Sequence, residues 1–239
     1  MKKLVTTLGN KSIDQVGLIL PHEHVFVDLR TCDQEGYGQA ETSDVVQIMT
    51  PYLQDAKRAG IDLIIDCGPI GVGRRVDILK AVSIAAKYPL VVPTGVYREP
   101  WIPGWVHEAD EAFLERWMTK ELNEGIEGTC IKAGFVKVSA SDDGMTACEA
   151  KILRAACSSA KTVEALIGSH TVAGKVVCNQ LDLIEKAGYR TNRFLWIHTH
   201  IEPDFELHLE MAKRGAWIEY DNIGWGTDEF YMELILKIL

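Results

Sequence analysis

Short apolar runs rich in branched residues alternate with segments of helical period along this chain, and that alternation is the signature of parallel βαβ units. The run Leu18 to Asp28 is followed by a helical pattern over Ser43 to Ala59, with Ser43 placed to cap its start and Gly60 to stop it. DLIIDCGP comes next, then a helix over Arg75 to Lys87 and the strand PLVVPTGVY. An acidic, aromatic stretch from Glu108 to Leu122 leads to GFVKVSAS. Helices over Thr146 to Ser159, Gly174 to Ala187 and Asp204 to Arg214 then precede VEALIGSHT, RFLWIHTHI and AWIEYDNIG. That makes seven strands, and a last amphipathic segment, Thr227 to Leu239, follows the seventh.

Parallel strands covered on both faces read as nearly continuous apolar runs, as these do, and ligands then gather at the strands' C-terminal ends. The length of 239 residues is near the ~250 typical of a (β/α)8 barrel. The expected class is therefore α/β, with residues 1–239 forming one domain. A net charge of −9 without a basic stripe excludes ordinary nucleic-acid binding. Met1-Lys2-Lys3 starts like a secretory leader, but no apolar stretch follows, and the longest apolar runs are too short to cross a bilayer. A cytoplasmic location is expected, with no membrane partner. Six cysteines without a CxxC pair read as reduced thiols, Cys67 being a small buried hydrophobe.

Five of the seven histidines stand at the ends of apolar runs, in LILPHEHVFVD, ALIGSHT and LWIHTH. His22 and His24, two apart in a strand, present both imidazoles on one face and can chelate one ion. A catalytic zinc takes about three protein ligands, and His170 and His198 are available to complete such a set. Lys137 interrupts the fourth strand and has two readings, a charge guarding an edge strand or a functional group inside the barrel. His107 and His208 read as loop and helix-surface residues.

PHEHVFVDL, TGVYRE, GFVKVS, SHT and the later IH segment, in this order, resemble the phosphotriesterase-like family of the amidohydrolase superfamily. The resemblance covers essentially the whole chain. It implies a TIM-type (β/α)8 barrel and a metal-dependent hydrolase with two divalent ions, zinc by preference. His22 and His24 would hold the more buried ion, His170 and His198 the more exposed one, with a carbamylated Lys137 bridging them. Desolvation disfavours a buried ammonium, and the neutral amine captures carbon dioxide to become in effect a carboxylate. His198 and His200 share one face, and His198 is the better match to the family ligand. Tyr97 matches a tyrosine that orients substrate in the family's lactonases, and Arg98 is a further substrate-binding candidate.

The implied reaction is opening of a lactone, including sugar-phosphate lactones, by a hydroxide shared between the ions. A phosphotriester is the alternative substrate. A homodimer is the usual assembly of relatives. The family carries an aspartate at the end of an eighth strand, and here the sequence stops at MELILKIL after the seventh unit. Asp221, on the seventh strand, does not take that role. The expectation is a barrel truncated after the seventh β/α unit, with unpaired edges on the first and seventh strands. Its alternative is a catalytically impaired chain that binds metal or a partner.

Overall fold

The computed structural model describes residues 3–239. A hairpin, β1 (Lys3–Thr6) and β2 (Gly9–Ser12), precedes the repeating part of the fold. The following elements are β3 (Leu18–Glu23), α1 (Thr42–Arg58), β4 (Ile61–Asp66), α2 (Val76–Ala86), β5 (Leu90–Val91) and β6 (Pro93–Thr94). Then come α3 (Gly104–Glu108), α4 (Glu111–Asn123), β7 (Phe135–Ser139), α5 (Ala147–Val163), β8 (Ile167–His170) and α6 (Gly174–Lys186). The chain closes with β9 (Phe194–Ile197), α7 (Phe205–Lys213), β10 (Trp217–Ile218) and α8 (Asp228–Ile238).

From β3 onward every ladder is parallel, in the orders β3-β4-β5 and β6-β7-β8-β9-β10. β5 and β6 are one strand broken at Val92, whose carbonyl accepts from Gly134 N–H, so seven α/β units follow one another as the alternation predicts. Among the described residues no ladder joins β3 to β10. Val136, Val138, Ile167, Phe194 and Trp196 fill the core between strands and helices. Each such side chain contributes roughly 1.5–3 kcal/mol on burial.

Local signals explain most helix starts. Thr146 and Glu149 form a reciprocal capping box on α5, and Asp110, Asp204 and Thr227 each accept an N–H bond at the start of α4, α7 and α8. Ser43 does not cap α1; it lies inside the helix, whose N-cap is Glu41 without a side-chain bond. The Glu108–Leu122 stretch divides into α3 and α4. The hairpin, absent from the sequence expectation, is fastened by Thr7, whose N–H donates to Leu90 O and whose hydroxyl accepts from Leu90 N–H. Beneath the barrel wall, Arg74 grips Glu121 through two 2.7 Å bonds, and the Thr94 hydroxyl adds a third at 2.6 Å.

Candidate metal centre

The strand ends converge on a cavity of about 560 Å³ whose wall includes His22, His24, Tyr97, Lys137, His170, His198 and Asp221. His22 and His24 project from the end of β3 with their Nε2 atoms 3.3 Å apart, the arrangement the two-residue spacing predicts. His170 ends β8 and His198 follows β9; their rings lie 4.3 Å apart between centroids, and His198 lies 4.8 Å from His22. His198 has φ +69°, a left-handed conformation uncommon outside glycine and asparagine, which turns its ring off the strand and into the cluster. His200 stands farther out, 6.1 Å from His198 and 5.8 Å from the ring of Tyr231.

Lys137 occupies the middle of β7, paired on both sides by β6 and β8, so the edge-guard reading does not hold. It is 1% exposed, and its Nζ has no hydrogen-bond partner. Gly95 permits this packing: its φ is +113°, and a Cβ there would stand 2.0 Å from the carbonyl oxygen of Lys137. A buried amine without an acceptor, among histidines, is unusual enough to call for a partner. Four imidazoles around it offer nitrogen donors of the kind divalent zinc takes. The residues present therefore fit a metal centre.

The electrostatics keep His24 and His170 neutral. One face of His24 is open to solvent, yet desolvation by the cleft walls, helped by His22 and Lys137, pushes its pKa down to about 3. Burial and the neighbouring His198 and Lys137 push His170 down to about 2. An unprotonated imidazole has its lone pair available to a cation.

Three carboxylates join the site: Asp66 and Glu219, which the sequence does not mark, and Asp221, set aside there from the eighth-strand role. Asp66, at the end of β4, accepts from Val25 N–H at 2.8 Å and Gly68 N–H at 3.0 Å, tying the segment just after His24 to the second strand. Its complete burial pushes its pKa up to about 6. Glu219 and Asp221 follow β10; Glu219 accepts from His22 Nδ1 at 3.2 Å, and Asp221 touches His22, His198 and His200. Burial would raise the pKa of Asp221, but the imidazoles of His198 and His22 outweigh it and hold the carboxyl well below its usual range. A carboxylate at the end of a two-residue strand leaves little periodic signal. His208 is buried, not a helix-surface residue, with Nδ1 2.9 Å from Tyr220 Oη and Nε2 2.9 Å from the Glu202 carbonyl.

Tyr97 reaches over the cluster, its hydroxyl 3.2 Å from His170 Nε2. Arg98 turns away and pairs with Asp142 and the Ala140 carbonyl, outside the cavity wall. Cys67 is buried at the cavity floor with its thiol pushed up to about 12 by desolvation. Val27, Leu29, Val72, Ile223 and Trp225 form the apolar side of the cavity. No helix among the described residues is long and apolar enough to cross a membrane.

A sequence profile described as the phosphotriesterase family matches residues 2–233. A phosphotriesterase homology protein of Mycobacterium tuberculosis is 27% identical, the match covering 94% of this chain and 72% of that protein. An aryldialkylphosphatase of Saccharolobus solfataricus is 25% identical over 98% of this chain and 73% of its own length. Among solved structures, a variant of a PTE-like lactonase from Deinococcus radiodurans superposes with a TM-score of 0.89 at 27% identity, covering 98% of this chain and 77% of that one.

Proposed function

The chain belongs to the phosphotriesterase family, and on that premise we propose that it is a dinuclear metal hydrolase that opens lactone rings. The observation that carries the proposal is Lys137 Nζ, buried and without a partner among four strand-end histidines. In this reading His22 and His24 would hold one ion and His170 and His198 the other, with Lys137, as its carbamate, a ligand available to both. Two divalent cations, zinc by family likeness, supply an acidified water and a Lewis acid for the carbonyl oxygen.

The remaining work falls to the chain. Addition of carbon dioxide to the neutral Lys137 amine would form a C–N bond, release one proton and turn a donor without an acceptor into an anion suited to two cations. Tyr97 places its O–H over the cluster, where it orients the substrate carbonyl. The apolar side formed by Val27, Leu29, Val72 and Trp225 offers a surface for the alkyl part of the substrate. Lactones are favoured over phosphotriesters because triesters are rare metabolites, and likeness to a PTE-like lactonase supports the same choice. Likeness to an aryldialkylphosphatase keeps phosphotriesters in the assay. Six free cysteines suit a reducing cytoplasm.

The test is elemental analysis of the purified chain followed by a panel of lactones and one phosphotriester. About two ions per chain with lactone turnover supports the reading. Two ions without turnover identifies an impaired homologue, and no tightly bound metal overturns the proposal.

A further inference from the structure

We propose that Asp221 is a positioning residue that fixes the tautomers of the first- and sixth-strand histidines from outside the metal pair; this rests on the dinuclear reading above. Its contacts share one feature. Oδ2 lies 3.0 Å from His22 Nδ1 and 2.6 Å from His198 Nδ1, and Oδ1 lies 2.9 Å from His200 Nδ1. Every approach is to Nδ1. On His22 the opposite nitrogen, Nε2, faces Nε2 of His24 at 3.3 Å, the side on which an ion would be shared.

A neutral imidazole carries one N–H, and the partner of one nitrogen decides which nitrogen keeps its lone pair. A carboxylate accepts and never donates when ionised, so it selects the Nδ1–H form and presents the Nε2 lone pair to the cavity. One carboxylate doing this for residues on both sides of the site sets their rings together. Glu219 repeats the contact on His22 at 3.2 Å, which leaves that nitrogen only acceptors as neighbours.

The backbone around Asp221 is built to hold it there. Glu219 N–H donates to Trp196 O, and Thr199 N–H donates to Glu219 O, carrying the ladder past β10. Tyr231, from α8, donates its hydroxyl to Asn222 O at 2.9 Å. Asp221 is thereby anchored on both sides, its side chain only 8% exposed. None of the three approaches lies along the line of an ideal hydrogen bond: the His198 and His200 Nδ1 atoms have no bonded partner, and His22 Nδ1 bonds Glu219, so the decisive observable is the tautomer.

The experiment uses the full chain labelled with 15N, with long-range 1H–15N spectra of the imidazoles in metal-free and zinc-loaded forms. His22 and His198 are expected as Nδ1–H tautomers; Asp221→Ala loses that state at His198, while Glu219 still holds it at His22, and Asp221→Asn, whose amide oxygen still accepts, retains both. Zinc affinity should fall about 10–100-fold in Asp221→Ala and less in Asp221→Asn. Circular dichroism checks that each variant folds, and Asp221→Leu, close in shape and without an acceptor, decides the matter at His198 if Asp221→Ala does not fold. An Nε2–H tautomer at His198 in the wild type, or an unchanged His198 tautomer in Asp221→Ala, overturns the proposal. So does a thiolate-to-cobalt charge-transfer band in cobalt-loaded Asp221→Cys that the wild type lacks, because it would put the residue within the coordination sphere. Should the wild type bind fewer than two ions while the tautomers behave as expected, the dinuclear reading falls and this one stands.

Discussion

Replacing Lys137 with methionine should stabilise the metal-free protein while destroying its metal binding. The side chain is 1% exposed, lies between two paired strands, and ends in an amine without a hydrogen-bond acceptor. Methionine is unbranched, as lysine is, and ends without a charge, so packing changes little. An unsatisfied buried polar group costs about 1–3 kcal/mol, and more when charged. The charge of Asp66 is near enough to feel Lys137, which softens the penalty without bonding the amine. A net gain of about 2 kcal/mol is expected, which raises the midpoint of a chain this size by about 4 °C or more. The assay is thermal and urea unfolding of chelator-treated protein in carbon-dioxide-depleted buffer, beside metal content after reloading. A variant that melts below the wild type would show that the amine is satisfied in the folded state. It would remove the ground for the carbamate.

Tyr97→Phe deletes the hydroxyl 3.2 Å from His170 and should lower lactone kcat/KM about tenfold with metal content unchanged, read by steady-state kinetics and elemental analysis. Asp66→Ala leaves the N–H groups of Val25 and Gly68 without their acceptor; a loss of about 3 kcal/mol in urea unfolding is expected, with weaker metal retention through His24. Glu121→Ala removes the bidentate partner of the buried Arg74 guanidinium, leaving it Glu127 and the Pro93 carbonyl, and should cost about 3 kcal/mol, with little change in metal content if the fold persists. Burial holds the His208 pKa below its ordinary 6.5, so the unfolded chain gains a proton near that pH before the folded one does. Stability from this group is therefore complete above pH ~6.5 and declines on acidification below it. Unfolding midpoints measured from pH 8 to 5 in wild type and His208→Gln should show a shallower decline in the variant.

Periodicity makes the seven α/β units readable, and five histidines at the ends of apolar runs point to the mouth of the barrel in the sequence itself. What escaped was set by contacts between distant segments. His208 lies on a helix of polar aspect, yet its burial depends on Tyr220 and Glu202 closing around it. Asp66 reads as an ordinary strand-end acid, and only the return of the β3 loop gives it two N–H donors. The left-handed turn at His198 has no glycine to announce it. Ser43 offered a capping hydroxyl, but α1 begins one residue before it. The hairpin at the start is too short and too polar for its alternation to stand out.

His22 belongs to β3, while Glu219 and Asp221 immediately follow β10, and among the described residues no backbone ladder joins those two strands. The side-chain contacts between them therefore rivet a seam that main-chain hydrogen bonds leave open. Ions seated on His22 and His198 tighten the rivet, because whatever binds only the closed form stabilises that form by mass action. Chelation should accordingly loosen β3 and β10 first, with amide exchange quickening there while β7 and β8 stay protected in the middle of their sheet. In this barrel the catalytic ions would also serve as the hoop.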